Sequence, residues 1–317
     1  MKTVLITEPI HPDGRAVLER AGLEIRELPP GAGPEAFDAA AAGANGVLVR
    51  LMRLDEARLG PMNGLEVVSR HGVGCDNVAV EHCSGRGVPV CIAADANARS
   101  VAEHTMALML AGARNLVAHD RATRAGDWTA RAENGRASFE LHGKTLLVIG
   151  VGRVGSRVAR LALAFGMRVL GHDRYRDDLP EGVEAAPDLD AALPEADVVA
   201  VHVPLTEETR DMLGAERLSR LKPAAQIVNC ARGNIVDEAA LLAAPPAFYA
   251  TDVFREEPVP AGDPLLALGP AILTPHVAAM THESMRAMAV QAAENIVAAF
   301  EGRLDPGVVF NRAALGR

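Results

Sequence analysis

The stretch from Lys144 to Asp173, KTLLVIGVGRVGSRVARLALAFGMRVLGHD, leaves few folds open to the rest of the chain. Thr145 to Ile149 is a short apolar, partly β-branched run of the kind that forms a buried parallel strand. It runs straight into Gly150-Val-Gly152-Arg153-Val154-Gly155. Val154, Val158, Leu161, Ala162 and Phe165 then recur at spacings of three and four, which predicts a helix with those residues on one face and Gly166 at its end. A second apolar strand, Arg168 to His172, stops at an acid, Asp173.

That order has a physical reading. Gly150 permits a tight turn, Gly152 lets the backbone approach a pyrophosphate, and Gly155 lets the helix pack against the strand. The helix N-terminus offers unpaired N–H groups to phosphate oxygens. A glycine triplet alone is weak, but strand, turn, helix, strand and acid together predict a dinucleotide site, with Asp173 accepting from the adenosine ribose hydroxyls. An acid there disfavours a 2′-phosphate and selects NAD over NADP, although Arg174, itself a candidate cofactor-binding residue, stands beside it.

At 317 residues the chain has material for two domains, each with its own core. A formal charge of −9 without a basic cluster argues against a nucleic-acid partner. No apolar run reaches membrane length, and MKTVLITEPI reads as a first strand instead of a signal peptide, so a cytoplasmic protein is expected. Cys75, Cys83, Cys91 and Cys230 form no CxxC pair and read as reduced thiols without a metal.

Before the glycine loop, strand-like pieces at 3–7, 46–50, 66–70 and 88–92 alternate with helix-like pieces at 13–21, 55–59 and 78–86. This is a small α/β domain in its own right. Leu28 to Gly33 reads as a surface loop. Ser100 and Glu103 have the spacing of a capping box, which predicts a largely buried helix from Val101 to about Val117, followed by a polar segment, His119 to His142. Trp128 in that segment either anchors a partner subunit or plugs a local gap. After Asp173, strands at 197–201, 226–229, 248–252 and 271–274 alternate with helical stretches at 189–193, 215–221 and 237–243, completing a second, larger doubly wound sheet. A final helix, Glu283 to about Glu301, carries Met285, Met288, Ala292, Ile296 and Phe300 on its core face.

Three stretches at predicted strand ends hold the candidate chemistry: Asn229 to Gly233, Thr251 to Pro258 and Thr274 to His276. Ligands of open α/β sheets bind beyond the carboxyl ends of the strands. Reduction of a 2-oxo acid needs a hold on the carboxylate, which the planar fork of Arg232 supplies, and a proton donor for the developing alkoxide, which His276 supplies. Glu257 beside His276 would favour the protonated imidazolium.

With these residues in place, the chain resembles the D-isomer-specific 2-hydroxyacid dehydrogenases over nearly its whole length. The resemblance rests on Arg70-His-Gly72-Val73-Gly74-Cys-Asp-Asn77, on Asn97 to Glu103, on the glycine loop, and on His202-Val203-Pro204-Leu-Thr-Glu-Glu-Thr209. Asn229 to Leu241, Asp252 to Pro258 and Thr274-Pro-His276 extend it. It implies two doubly wound α/β domains: a Rossmann NAD-binding domain, residues 99–283, inserted into a smaller flavodoxin-like substrate domain, residues 1–98 with 284–317. It implies Arg232 on the substrate carboxylate and carbonyl, His276 as acid and base, and Glu257 as its partner. Leu51, Val73 and Gly74 are implied near substrate. Arg153, Val154, Val203, Pro204, Thr209, Cys230, Ala231 and His276 are implied along the cofactor, with Asp252 on the nicotinamide amide.

A homodimer joined through the helix after Val101 and the following arm is also implied. Leu51 and Met52 stand where many relatives have small polar residues, which disfavours a phosphorylated substrate tail; Arg53 reads better as a surface arginine than as a distal anion contact. Met280 stands near the position of a frequent glycine. The expected activity is NAD-dependent interconversion of a small 2-oxo acid and its D-2-hydroxy acid, of the hydroxypyruvate or glyoxylate type or less polar. The competing readings are a formate or phosphite dehydrogenase relative, for which Glu257 in place of glutamine is unfavourable, and an NAD-sensing binding protein of the corepressor kind.

Overall fold

The computed structural model describes residues 1–129, 131 and 138–316. It divides into two compact units, Met1–Asn97 with Met280–Arg317, and Ala98–Ala279.

The first unit is a five-stranded parallel sheet of β1 (Thr3–Ile6), β2 (Glu24–Glu27), β3 (Gly46–Val49), β4 (Val67–Arg70) and β5 (Val90–Ile92), in the order β2-β1-β3-β4-β5. Its connections carry α1 (Pro12–Arg20), α2 (Pro34–Ala41), α3 (Glu56–Leu59) and α4 (Val80–Gly85). The long helix of residues His282–Phe300 returns to this unit and packs Met288, Ala292 and Ile296 against it as its periodicity predicts. The edge strand β2, EIRE, escaped the sequence reading because it is half-exposed and charged along its length. Helix α2 escaped it because Phe37 and Ala41 are its only buried residues.

The second unit begins with α5 (Ala98–Ala113) and α6 (Leu116–Arg124). The expected capping box at Ser100 is not formed. The helix starts at Ala98, so Ser100 lies inside its first turn, and its buried hydroxyl donates to the carbonyl of Ala278 at 2.5 Å. Nor does the helix run to Val117: Asn115 takes a left-handed φ of 47° and splits it from α6, which buries nothing of its own in this unit. The expected polar arm falls partly on 130 and 132–137, outside the described residues.

The sheet that follows has seven parallel strands: β6 (Thr145–Ile149), β7 (Arg168–His172), β8 (Val183–Ala185), β9 (Val198–Val201), β10 (Gln226–Asn229), β11 (Phe248–Thr251) and β12 (Ala271–Leu273). Their order is β12-β11-β10-β9-β6-β7-β8, so the chain reverses direction of growth at β6. The crossovers carry α7 (Gly155–Ala164), α8 (Leu189–Ala192), α9 (Ala215–Ser219) and α10 (Glu238–Ala243), and the returning helix of the first unit is α11 (His282–Phe300). One face of α7 is buried as expected through Val158 and Ala162, but Ala159 joins them while Leu161 and Phe165 turn outward, 37% and 44% exposed. The three- and four-residue spacing is the same for either stripe, and only the packing decides between them.

Buried Leu, Ile, Val and Ala side chains fill separate cores on the two faces of this sheet. The four cysteines are free thiols, and three of them are buried. Among the described residues no helix is long and apolar enough to cross a membrane, and no cluster of His, Cys, Asp and Glu has the makings of a metal site.

Candidate active site and its cofactor cradle

Parallel register decides where the chemistry can collect. Ile149 pairs with His172 and with Val201, Val201 with Asn229, Asn229 with Thr251, and Thr251 with Leu273. The residues one step past these ends, Gly150, Asp173, His202, Cys230, Asp252 and Thr274, therefore form one row along the carboxyl edge. The reversal at β6 opens a crevice in that row, where open α/β sheets bind ligands.

At the crevice each glycine has its own reason. Gly150 takes a φ of +90°, and a Cβ there would meet the carbonyl oxygen of His202 at 2.7 Å. A Cβ on Gly155 would lie 1.9 Å from the carbonyl oxygen of Gly150, so the helix closes on the turn only with hydrogen in that place. Beyond Gly152 a Cβ would meet nothing within 4 Å. Its backbone is thus bare toward the crevice. Ser156 ties the turn by donating to the carbonyl of Val151 at 2.8 Å. Asp173 ties it from the next strand: its carboxylate accepts from the N–H of Val151 at 2.8 Å and from that of Tyr175 at 2.9 Å. Those two bonds orient the acid and leave further lone pairs on both oxygens.

The remaining expected cofactor residues lie on the same edge. Val154 takes the N-cap position of α7, and the exposed Arg153 precedes it. Val203 packs within 2.8 Å of the Cβ position of Gly150. Thr209 donates to the carbonyl of Pro204 at 2.6 Å, closing the turn after β9. Cys230 and Ala231 follow β10; burial pushes the Cys230 thiol up to about 12, so it stays protonated at neutral pH.

Around His276 the loops are locked together. Gly233 brings backbone against backbone: a Cβ on it would lie 2.1 Å from the carbonyl carbon of Phe254. The turn that carries Arg232 is thereby held against the one that leads to Glu257. The Asn229 side chain braces it further, donating to the Arg232 carbonyl at 2.9 Å and accepting from the Ala231 N–H at 3.0 Å. Half-buried Arg232 also donates to the Ala231 carbonyl at 2.6 Å. His276 Nδ1 lies 2.6 Å from Glu257 Oε2, while Glu257 Oε1 accepts from the Phe254 N–H at 3.0 Å. Burial raises the Glu257 carboxyl, but the bonds from His276 and Phe254 and the charges of His276 and Arg232 outweigh it, so the group sits below its ordinary value. An ionised carboxylate only accepts. Nδ1 is therefore the donor of this pair, and Nε2 is left as the nitrogen that can exchange a proton with a ligand.

Asp252 has a larger part here than its sequence reading. It is 1% exposed, and its carboxylate accepts from Thr274 Oγ1 at 2.7 Å, Val277 N at 2.8 Å and Ala278 N at 2.7 Å. These bonds bracket His276, whose φ of 54° is a left-handed conformation that a β-carbon residue adopts only when its surroundings impose it. His104 of α5 completes the clamp, with Nε2 3.1 Å from Thr274 Oγ1 and 3.6 Å from Asp252 Oδ1. The sequence reading missed His104, although it directly follows the Asn97–Glu103 stretch and a polar residue on a largely buried helix was a signal that it faces something.

The family model described as D-isomer specific 2-hydroxyacid dehydrogenase, NAD binding domain, matches residues 106–278. The glyoxylate reductase of Korarchaeum cryptofilum is 40% identical over 77% of this chain and 76% of its own length. The chain belongs to the D-isomer-specific 2-hydroxyacid dehydrogenases. The D-3-phosphoglycerate dehydrogenase of Methanocaldococcus jannaschii is 39% identical over 98% of this chain, which spans 59% of that relative's length. Among solved structures, a D-lactate dehydrogenase of Aquifex aeolicus complexed with NAD and lactic acid shares 31% identity, covers 95% of this chain and 96% of its own, and superposes with a TM-score of 0.82.

The second unit is thus the family's NAD-binding domain, and its residues fit the cofactor. The bare backbone at Gly152, the N–H groups that open α7 and the oriented carboxylate of Asp173 supply what a pyrophosphate and a ribose diol require. In the first unit, Val73 and Gly74 lie half-buried in the loop after β4. Leu51, 71% exposed, follows β3, and the N–H groups of Arg50, Leu51 and Met52 all donate to the carboxylate of Glu8.

Proposed function

We propose that this chain interconverts a small 2-oxo acid and its D-2-hydroxy acid with NAD(H), in the cytoplasm and as a homodimer. The observation that carries the reading is the 2.6 Å contact between His276 Nδ1 and an ionised Glu257, made on a loop that Asp252 holds in place. When bound, NADH would supply the hydride for the carbonyl carbon in the reductive direction. Arg232 pairs with the substrate carboxylate and orients the carbonyl. His276 gives the proton at Nε2 to the carbonyl oxygen, and Glu257 stabilises the imidazolium before transfer and keeps Nδ1 protonated after it.

The substrate reading is a short one. A phosphorylated tail near Leu51 would meet N–H groups already committed to Glu8 and the negative charge of Glu8 itself. Self-association through α5 and the segment after it is supported by Leu116 and Trp128, 60% and 74% exposed, and is read by light scattering.

The test is NADH oxidation, followed by its near-ultraviolet absorbance, with glyoxylate, hydroxypyruvate, pyruvate and bulkier 2-oxo acids, and chiral analysis of the product. Turnover of at least one short acid to the D-hydroxy acid is expected. NADH binding without turnover of any of them removes the enzymatic reading and leaves that of a sensor.

A further inference from the structure

Two arginines flank Tyr175 immediately after Asp173, and an arginine at this place is what accommodates a 2′-phosphate. Neither faces that place uncommitted. Arg176 makes a two-pronged pair with Asp178, at 3.0 and 2.8 Å, and donates to the Val151 carbonyl at 3.0 Å. Arg174 reaches the other way, to Glu208 Oε2 at 2.8 Å, and the Tyr175 hydroxyl donates to the same oxygen at 3.3 Å.

Glu208 is not a loose loop acid. It lies in a turn closed on itself, where the Thr206 N–H donates to Thr209 Oγ1 at 2.8 Å and Thr209 Oγ1 donates to the Pro204 carbonyl at 2.6 Å. That turn follows β9, across the crevice row from β7, so its backbone fixes where the carboxylate is presented.

We propose that Glu208 is a cofactor-selectivity residue, which draws the Arg174 guanidinium away from the adenosine ribose and so sets NADH above NADPH. The inference rests on the NAD reading of the crevice. Asp173 alone accepts from a 2′-hydroxyl and repels a 2′-phosphate. Arg174, if released, would offset that repulsion with two or more donors aimed at the added phosphate. Glu208 acts against this twice, by competing for the guanidinium and by adding a second negative charge near Asp173. Both residues of the pair are more than half exposed, so the pair is weak in itself and works as a bias, not a latch.

The experiment titrates parent, Glu208→Gln, Arg174→Gln and the double variant with NADH and with NADPH by calorimetry. In Glu208→Gln the NADPH to NADH affinity ratio should rise about fivefold, the scale of one exposed charge pair. In the double variant that rise should vanish, because it runs through Arg174. An unchanged ratio in Glu208→Gln, or a rise that survives loss of Arg174, overturns the inference while NADH binding by the parent keeps the cofactor reading. A parent that binds no NADH overturns both.

Discussion

Replacing Asp252 by asparagine separates holding a loop from touching a cofactor. The carboxylate has three donors on two oxygens: Thr274 and Val277 on Oδ1, and Ala278 on Oδ2. An asparagine can keep its carbonyl toward the first two, but its NH₂ then faces the buried N–H of Ala278, donor against donor. One charge-assisted bond is lost, a buried N–H is stranded and the other two bonds lose their charge, which together costs about 3 kcal/mol. For a unit of this size the loss is roughly 6 to 12 °C in melting temperature. Because the strain falls on the residues bracketing His276, up to about a hundredfold is expected to leave kcat. The assays are a thermal melt, kcat on the best 2-oxo acid and NADH affinity by titration. Weakened NADH binding with an unchanged melt and unchanged turnover of the saturated enzyme would refute the clamp and leave Asp252 a cofactor contact alone.

Other perturbations follow from the same geometry. Gly155→Ala puts a methyl group 1.9 Å from the Gly150 carbonyl oxygen, so α7 must move off β6; NADH affinity should fall at least tenfold, by titration. His71 is 3% exposed with an unpartnered Nε2, and burial, reinforced by the charge of Arg50, depresses it to about 4. Its unfolded form binds a proton near 6.5 and its folded form does not, so above pH 6.5 proton binding adds no cost. As pH falls from 6.5 toward 4 the folded state loses stability, up to about 3 kcal/mol. His71→Gln should therefore lose less stability than the parent between pH 6.5 and 4 in chemical denaturation, and parallel curves would refute this.

Much of the fold was legible because the buried strands are short apolar, partly β-branched runs, as at β6 and β9, and because parallel sheets bury such runs on both faces. What escaped is what burial does not mark: β2 and β8 at sheet edges, α2 with two buried side chains, and α6 with none. The cap at Ser100 was misread because a serine three residues before a glutamate has the same spacing whether it precedes the helix or lies within it, and only the Ala278 carbonyl, far away in sequence, decides. Leu161 and Phe165 failed for the related reason that periodicity gives a stripe but not which neighbour it meets.

At the site, Arg232, Glu257 and His276 were legible as polar residues at the ends of apolar strands. Their support was not. Nothing beside Gly233 in the sequence marks the Phe254 backbone that stands against it, and Asp252 and His104, 148 residues apart, meet only when α5 packs over β11 and β12. Local pattern singles out the candidate groups; the contacts that position them are tertiary.

The central claim is that His276, oriented by Glu257, is the proton donor to a 2-oxo acid. His276→Ala measures it most directly: NADH titration beside steady-state turnover on the best substrate of the panel. NADH should still bind, since the glycine turn and Asp173 are untouched, while kcat falls by about a thousandfold, the usual worth of a positioned general acid. Turnover near the parent's, with the cofactor bound, would contradict the claim.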